Sequence, residues 1–150
     1  MEFSVFKWTR KDLLFVVSVV LVVYAVSAFQ LKTGEMKTRD VQRKADVEQV
    51  GRALNAYASD HSGLYPNVVC GEYTPCVWGN SKIVDSDGVV YLKDLPKDPS
   101  EKREYVYQVS FDKHAFKIYV ALENLSDPGL RRGLTTECGY KVQCNWYVTN

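Results

Sequence analysis

The sequence has no proline before Pro66 and no charged residue between Leu13 and Phe29. Proline is the residue that most often interrupts a helix, so the first part of the chain is free to form a long one. The seventeen uncharged residues cover roughly 25 Å at a helical rise of about 1.5 Å per residue. We expect them, with their flanking turns, to cross a bilayer as a helix, because lipid offers the backbone no other hydrogen-bond partners. A cleaved secretory signal is the alternative, although its apolar region is usually shorter and Ser27-Ala28 is only a loose cleavage match.

The chain also has almost no net charge. The total is +1 at pH 7, and the residues from Gln30 onward contain sixteen basic and sixteen acidic side chains. No net field therefore concentrates nucleic acid or an acidic substrate around this part of the chain. We interpret the local pair Arg131-Arg132 as solvated surface, and we predict no nucleic-acid partner.

Motifs of catalysis are missing as well. The sequence contains no Gly-rich phosphate loop, no His-Glu-x-x-His and no Gly-x-Ser-x-Gly. Its two histidines, His61 and His114, stand alone, whereas a metal site needs several converging ligands. The sequence predicts a protein without catalytic residues and without a cofactor.

Calcium is the one metal for which the sequence offers oxygen ligands. Asp85 and Asp87 lie in the segment Asp-Ser-Asp-Gly, and Glu123 and Asp127 lie in Glu-Asn-Leu-Ser-Asp-Pro-Gly. The first segment does not match an EF-hand loop, and turns favour acidic residues beside glycine or proline in any case. We therefore interpret both segments as turns and keep calcium as the alternative.

Four cysteines form two pairs, and each pair has five residues between its members. They are Cys70 with Cys76 and Cys138 with Cys144. Zinc sites of four cysteines usually have two to four residues between paired ligands, so we favour two local disulfides over zinc. Disulfides form in an oxidising compartment, which predicts that this part of the chain lies outside the cytoplasmic membrane.

Beyond the apolar run, the helical pattern continues to about residue 62 and becomes amphipathic. Ser62-Gly63 and Tyr65-Pro66 are expected to end it. Arg43 and Asp46 are assigned to the polar face, and residues 37–46 to a solvated neck or a surface that meets neighbouring subunits. The apolar stripe comprises Val47, Val50, Ala53, Leu54, Tyr57 and Ala58.

After the helix the pattern changes to short strands. Strands are predicted at 89–92, 104–110, 116–122 and 145–149, after an irregular connector. The predicted fold class is α+β: a long N-terminal helix, half membrane-spanning and half amphipathic, packed on a small antiparallel sheet. The predicted organisation is a basic N-terminal segment at 1–12, a transmembrane segment at 13–29 and an extracytoplasmic domain at 30–150.

The chain resembles type IV pilin-like proteins, and most closely the pseudopilins of type II secretion. Four stretches carry the resemblance in this order: Arg39–Asp46 with the helix to Tyr57, Asp60–Pro66, Leu95–Pro99 and Tyr119–Asn124. The resemblance implies a pilin-like fold and a noncatalytic filament subunit. Related pseudopilins bind calcium in a loop of the sheet region, which is a second reason to consider that metal.

The resemblance also implies roles for residues at the start of the helix. Aligned back from Arg39-Asp40, Trp8 corresponds to the aromatic residue that begins the mature chain. Asp12 corresponds to the family's glutamate, which pairs with the terminal amine of a neighbouring subunit. Lys7 stands where the family's peptidase needs glycine, so without cleavage Asp12 would be a charged flank of the membrane segment.

The partners and location implied by this resemblance are specific. The partners are like subunits or other pilins bound through the N-terminal helix, the lipid of the cytoplasmic membrane, and a pilus or secretion assembly machinery. The location is a single pass through the cytoplasmic membrane, with the N-terminus inside and the C-terminal domain outside. The alternative function is a membrane-tethered binding module that does not polymerise.

Overall fold

The computed structural model describes residues 9–71 and 75–150, and it confirms the α+β class. One helix precedes two small antiparallel sheets, of two and three strands. The chain divides into two compact units after Met36, the second comprising Lys37–Asn150. The elements are α1 (Arg10–Asp60), β1 (Ile83–Val84), β2 (Val90–Leu92), β3 (Val106–Val109), β4 (Phe116–Val120) and β5 (Trp146–Thr149).

In the first unit, the apolar part of α1 has its side chains in the open. An 18-residue window has a mean hydropathy of 2.4, and none of it is buried. Leu14, Phe15 and Phe29, for example, are 69–73% exposed. A helix of this length and composition can span a membrane. None of the residues that the structure describes covers this part of the helix.

The core of the second unit lies between α1 and the three-stranded sheet. The predicted stripe is confirmed, and its side chains pack with Phe116, Ile118 and Val120 of β4. These three residues alternate along the strand, so they point to one face of the sheet. The helix faces Phe116 at Gly51, but the packing does not require glycine there: a Cβ would lie 3.5 Å from Phe116 Cζ, which is an ordinary contact. The stripe residues, all buried, are Val47, Val50, Ala53, Leu54, Tyr57 and Ala58.

The helix ends as the sequence predicts, within two residues of the expected position. Ser62 and Gly63 both have positive φ, of 56° and 82°. Gly63 donates its backbone N–H to the carbonyl of Ala58 at 2.7 Å. This bond satisfies one of the carbonyls left over at a helix C-terminus, and glycine adopts the required φ at no steric cost.

The larger sheet has the order β3-β4-β5, with antiparallel neighbours. Tyr107 is paired with Ile118, and Ile118 with Val148. Strands β2 to β5 coincide with the four predicted strands but are shorter by one to three residues.

Strand β1 was not predicted, because two residues carry no periodicity. It pairs with β2 and forms a parallel bridge between Val84 and Gly71. Gly71 has φ +68°, and a Cβ there would lie 2.2 Å from the Val84 carbonyl oxygen. Only glycine fits this approach.

Both predicted disulfides are present, and each closes a seven-residue loop. Cys70 is bonded to Cys76, and Cys138 to Cys144. The second loop covers the face of the larger sheet that points away from α1, where its cysteines form a small cluster with Tyr119 of β4. Tyr119 is therefore buried on this second face of β4, whereas Lys117 on the same face is exposed.

Candidate functional site

The start of α1 is closed by a reciprocal cap between Thr9 and Asp12. Asp12 Oδ2 accepts the backbone N–H of Thr9 at 2.9 Å and its hydroxyl at 2.7 Å, and Thr9 Oγ1 accepts the N–H of Asp12 at 3.3 Å. Such a capping box satisfies amide groups that a helix leaves unpaired at its N-terminus, and a negative charge there is favourable. Asp12 is exposed and thus remains accessible. Trp8, assigned as the mature N-terminus by resemblance, lies outside the described residues.

The carboxylates considered for calcium are spread over two regions, and three of the four already have partners. Asp85 is buried in the β1–β2 turn, where it accepts the backbone N–H of Asp87 and of Val89 at 3.0 and 2.8 Å. Asp127 pairs with Lys44 Nζ at 2.7 Å. Within 9–71 and 75–150, no group of three or more His, Cys, Asp or Glu side chains is placed to hold a metal ion.

The most developed polar site is the Arg43 cluster, which comprises three arginines and three carboxylates. Arg43 is at its centre and is fully buried. Its Nε and a terminal nitrogen donate to the two oxygens of Asp98 at 2.8 and 2.9 Å. Its other terminal nitrogen reaches Asp40 at 2.8 Å and Glu123 at 2.9 Å. The cluster comprises Arg39, Asp40, Arg43, Asp98, Arg103 and Glu123.

Every carboxylate of the Arg43 cluster has more than one donor. Glu123 is contacted by Arg39 Nε at 2.9 Å and by an Arg103 terminal nitrogen at 2.7 Å, in addition to Arg43. Asp40 accepts the backbone N–H groups of Glu123 and Asn124 at 2.8 and 2.7 Å. Backbone donors of this kind fix the loop after β4 to the helix.

The pKa values reflect this arrangement. The hydrogen bond from Arg39 lowers the pKa of Glu123 to about 2, against the opposing effect of burial, and Arg43 adds to the lowering. Burial alone would lower the pKa of Arg43, but its bonds to Asp98 and Glu123 raise it instead. Burial also raises the pKa of the neighbouring Asp46, whose carboxylate accepts the Tyr105 hydroxyl at 2.8 Å. Glu123 and Arg43 are thus held in their charged forms.

The placement of Arg43 corrects two predictions. Arg43 does not lie on the polar face of the helix, and residues 37–46 are not simply a solvated neck, because Asp40 and Arg43 are 3% and 0% exposed. Position explains the error: Arg43 precedes Val47 by four residues and Val50 by seven, so it lies on the buried stripe. The loops that contribute Asp98 and Glu123 supply the charges that make burial of an arginine tolerable.

Sequence reasoning missed this cluster, although one signal was visible. Asp40 and Arg43 are three residues apart, a spacing that brings side chains together on a helix. Asp98 and Glu123, which complete the cluster, are separated from them by more than fifty residues, and no periodicity links them. Comparison with family models, with curated proteins and with solved structures finds no match.

The ion pairs of the Arg43 cluster connect different segments of the second unit. The charges of the cluster neutralise one another, and its central guanidinium is withdrawn from solvent. It ties the segments that contain Asp98, Arg103 and Glu123 to the first turns of the helix within the second unit.

Proposed function

We propose that this chain is a noncatalytic, membrane-anchored, pilin-like subunit of a filament of the type IV pilus or type II secretion kind. One observation carries the proposal: the uncharged segment Leu13–Phe29 is exposed along a helix that also contributes the core stripe of a disulfide-closed domain. An apolar surface of this kind needs lipid or other apolar helices around it. If the helix leaves the bilayer, packing against the helices of like subunits replaces the lipid.

We further propose a single pass through the cytoplasmic membrane with the N-terminus inside, as the resemblance implies. The exposed apolar helix supports the single pass. The two disulfides favour an oxidising compartment for the second unit, outside that membrane. In an assembled filament this unit would face outward. The partners are like subunits, other pilins and an assembly machinery.

The Arg43 cluster suits such a subunit. A domain that is carried on a single helix has to resist rotation about that helix. Ion pairs with several donors from different segments define one geometry, since a twist breaks several charged hydrogen bonds together.

Determining the N-terminus of the chain purified from membranes tests the proposal. We expect a chain that resists extraction with alkaline carbonate and begins at Trp8 with a methylated amine, as the resemblance implies. Asp12→Ala should then abolish incorporation into filaments, while Asp12→Glu should retain it. Release of the chain by carbonate would contradict the anchor, and normal filaments from Asp12→Ala would contradict the assembly role of Asp12.

A second function is favoured by the Asp12 cap itself. Asp12 is already bonded to Thr9 of its own chain, and Lys7 is not the residue that the family's peptidase needs. An unprocessed chain would be a membrane-tethered binding module that does not polymerise. An intact Met1, together with a monomeric chain in detergent, would support this function in place of the first.

A further inference from the structure

A groove of about 430 Å³ on the second unit combines leucine side chains with arginine side chains. Leu125, Leu130 and Leu134 give it an apolar lining, and Arg131 and Arg132 give it positive charge. Leu125 is 77% exposed, and both arginines are exposed. None of the described residues that line the groove is acidic. The groove therefore has the character of a site for an anionic amphiphile.

The two arginines of the groove differ from those of the Arg43 cluster. Arg39, Arg43 and Arg103 each pair with a carboxylate. For Arg131 and Arg132, no such pair exists among the described residues. Instead, the Arg131 guanidinium lies over the ring of Tyr147, 5.3 Å from its centroid.

The contact with the Tyr147 ring also positions Arg131 for a ligand. A guanidinium that lies over an aromatic ring does not use its N–H groups in that contact, so they can still donate. The Arg131 backbone is also held, because its N–H donates to the carbonyl of Asn145 at 2.7 Å. An arginine oriented in this way is suited to bidentate binding of a phosphate.

The loop that carries Leu125 is attached to the beginning of the second unit. The two residues before it, Glu123 and Asn124, donate their backbone N–H groups to Asp40. Only ten residues of chain lie between Phe29, the last residue of the uncharged segment, and Asp40. This length limits their separation to about 40 Å even when fully extended. If the uncharged segment is held in a bilayer, the short tether keeps lipid headgroups at a high effective concentration near the groove.

We propose that this groove binds the phosphate headgroup of an anionic phospholipid in the membrane that anchors the chain. Arg131 and Arg132 bind the phosphate, and the leucines contact the glycerol and the first acyl carbons. The proposal rests on the membrane anchor of the proposed function. Each basic side chain near an anionic bilayer favours binding by about fivefold, so the two arginines supply a measurable preference over zwitterionic lipid.

Hydrogen–deuterium exchange of the full chain in nanodiscs tests the proposal. Discs of phosphatidylcholine alone are compared with discs that contain one third phosphatidylglycerol. We expect slower exchange in residues 124–134 with the anionic lipid, and loss of the difference at high salt, because salt screens exposed charges. The preference of the groove for anionic lipid is the ratio of its affinities for headgroups in the anionic and in the phosphatidylcholine discs. The double variant Arg131→Gln/Arg132→Gln should reduce this ratio by about fivefold for each charge removed.

A matched control removes two exposed basic residues that do not line the groove. Arg52→Gln/Lys93→Gln lowers the net charge equally and should keep the slower exchange. Unchanged exchange in residues 47–58 shows that the double variant is folded.

Three results would overturn the inference. Equal exchange in the two kinds of disc excludes a headgroup site and leaves the anchor standing. If the groove variant and the control variant lose the preference for anionic discs equally, net charge explains the effect and the groove is not a specific site. Failure of the chain to enter discs overturns the anchor and this proposal together.

Discussion

Replacing Arg43 by methionine is the sharpest test of how the second unit is held together. The change keeps most of the side-chain length and removes the charge at the centre of the cluster. Glu123 retains Arg39 and Arg103, and Asp40 retains two backbone N–H groups. Of the donors in the described part of the chain, Asp98 retains only the backbone N–H of Ser100, at 2.8 Å, and it is 5% exposed. The cost is therefore concentrated on one carboxylate.

Removing one partner of a buried ion pair typically costs about 3–5 kcal/mol, because the other charge is left uncompensated. With a urea m-value of about 1.5 kcal/mol/M for a unit of this size, Arg43→Met should lower the unfolding midpoint by roughly 2–3 M. The assay is urea unfolding of the full chain in detergent, followed by tryptophan fluorescence. Arg52→Met, at an exposed site of the same helix, should change stability by less than about 0.5 kcal/mol.

The double variant Arg43→Met/Asp98→Asn identifies the source of the cost. Because asparagine carries no charge, we expect it to recover about half of the stability that Arg43→Met loses. A loss below about 1 kcal/mol for Arg43→Met would refute the buried ion pairs. A double variant no more stable than Arg43→Met would refute the assignment of the cost to Asp98.

The remaining predictions concern glycine, pH and the second disulfide. Gly51→Ala should stabilise the second unit by about 0.5–1 kcal/mol in urea unfolding, because alanine favours helix and its Cβ would make an ordinary contact. Gly71→Ala should destabilise the unit, because its Cβ would overlap a carbonyl oxygen. Equal effects of the two substitutions would contradict the described packing. The pKa of Glu123, lowered from 4.5 to about 2, means that folding favours its ionised form. The contribution of Glu123 to the free energy of unfolding should be complete above pH 4.5 and fall as the pH drops towards 2. Glu123→Gln should flatten this part of the plot of stability against pH. A plot that the substitution leaves unchanged would refute the lowered pKa of Glu123. Replacing Cys138 and Cys144 by serine should lower the free energy of unfolding by about 2–3 kcal/mol, because a ring of this size restricts the unfolded chain by about that much. An unchanged urea midpoint would show that the loop is ordered without the disulfide.

Much of the fold could be predicted from the sequence because its determinants are local. The stripe at Val47, Val50 and Leu54 follows helical periodicity, and Gly63 supplies the positive φ that ends the helix. The short spacing within the cysteine pairs was enough to propose both disulfides. Each of these signals lies within about ten residues of chain.

The Arg43 cluster could not be predicted because its partners come from distant parts of the chain. Arg43 occupies a stripe position, but its residue type pointed to solvent, and only the positions of Asp98 and Glu123 in space reverse that interpretation. The groove at Leu125 is similar. Arg131-Arg132 reads as ordinary solvated surface until Tyr147 and the leucines are placed beside it.

The Arg43 cluster contains equal numbers of positive and negative groups, and this affects how the stability of the second unit depends on salt concentration. Three guanidinium groups and three carboxylates cancel at short range, and the central pair is withdrawn from mobile ions. Dissolved salt therefore has little to screen there. The stability that the buried pair Arg43–Asp98 gives the second unit should therefore change little between low and high salt.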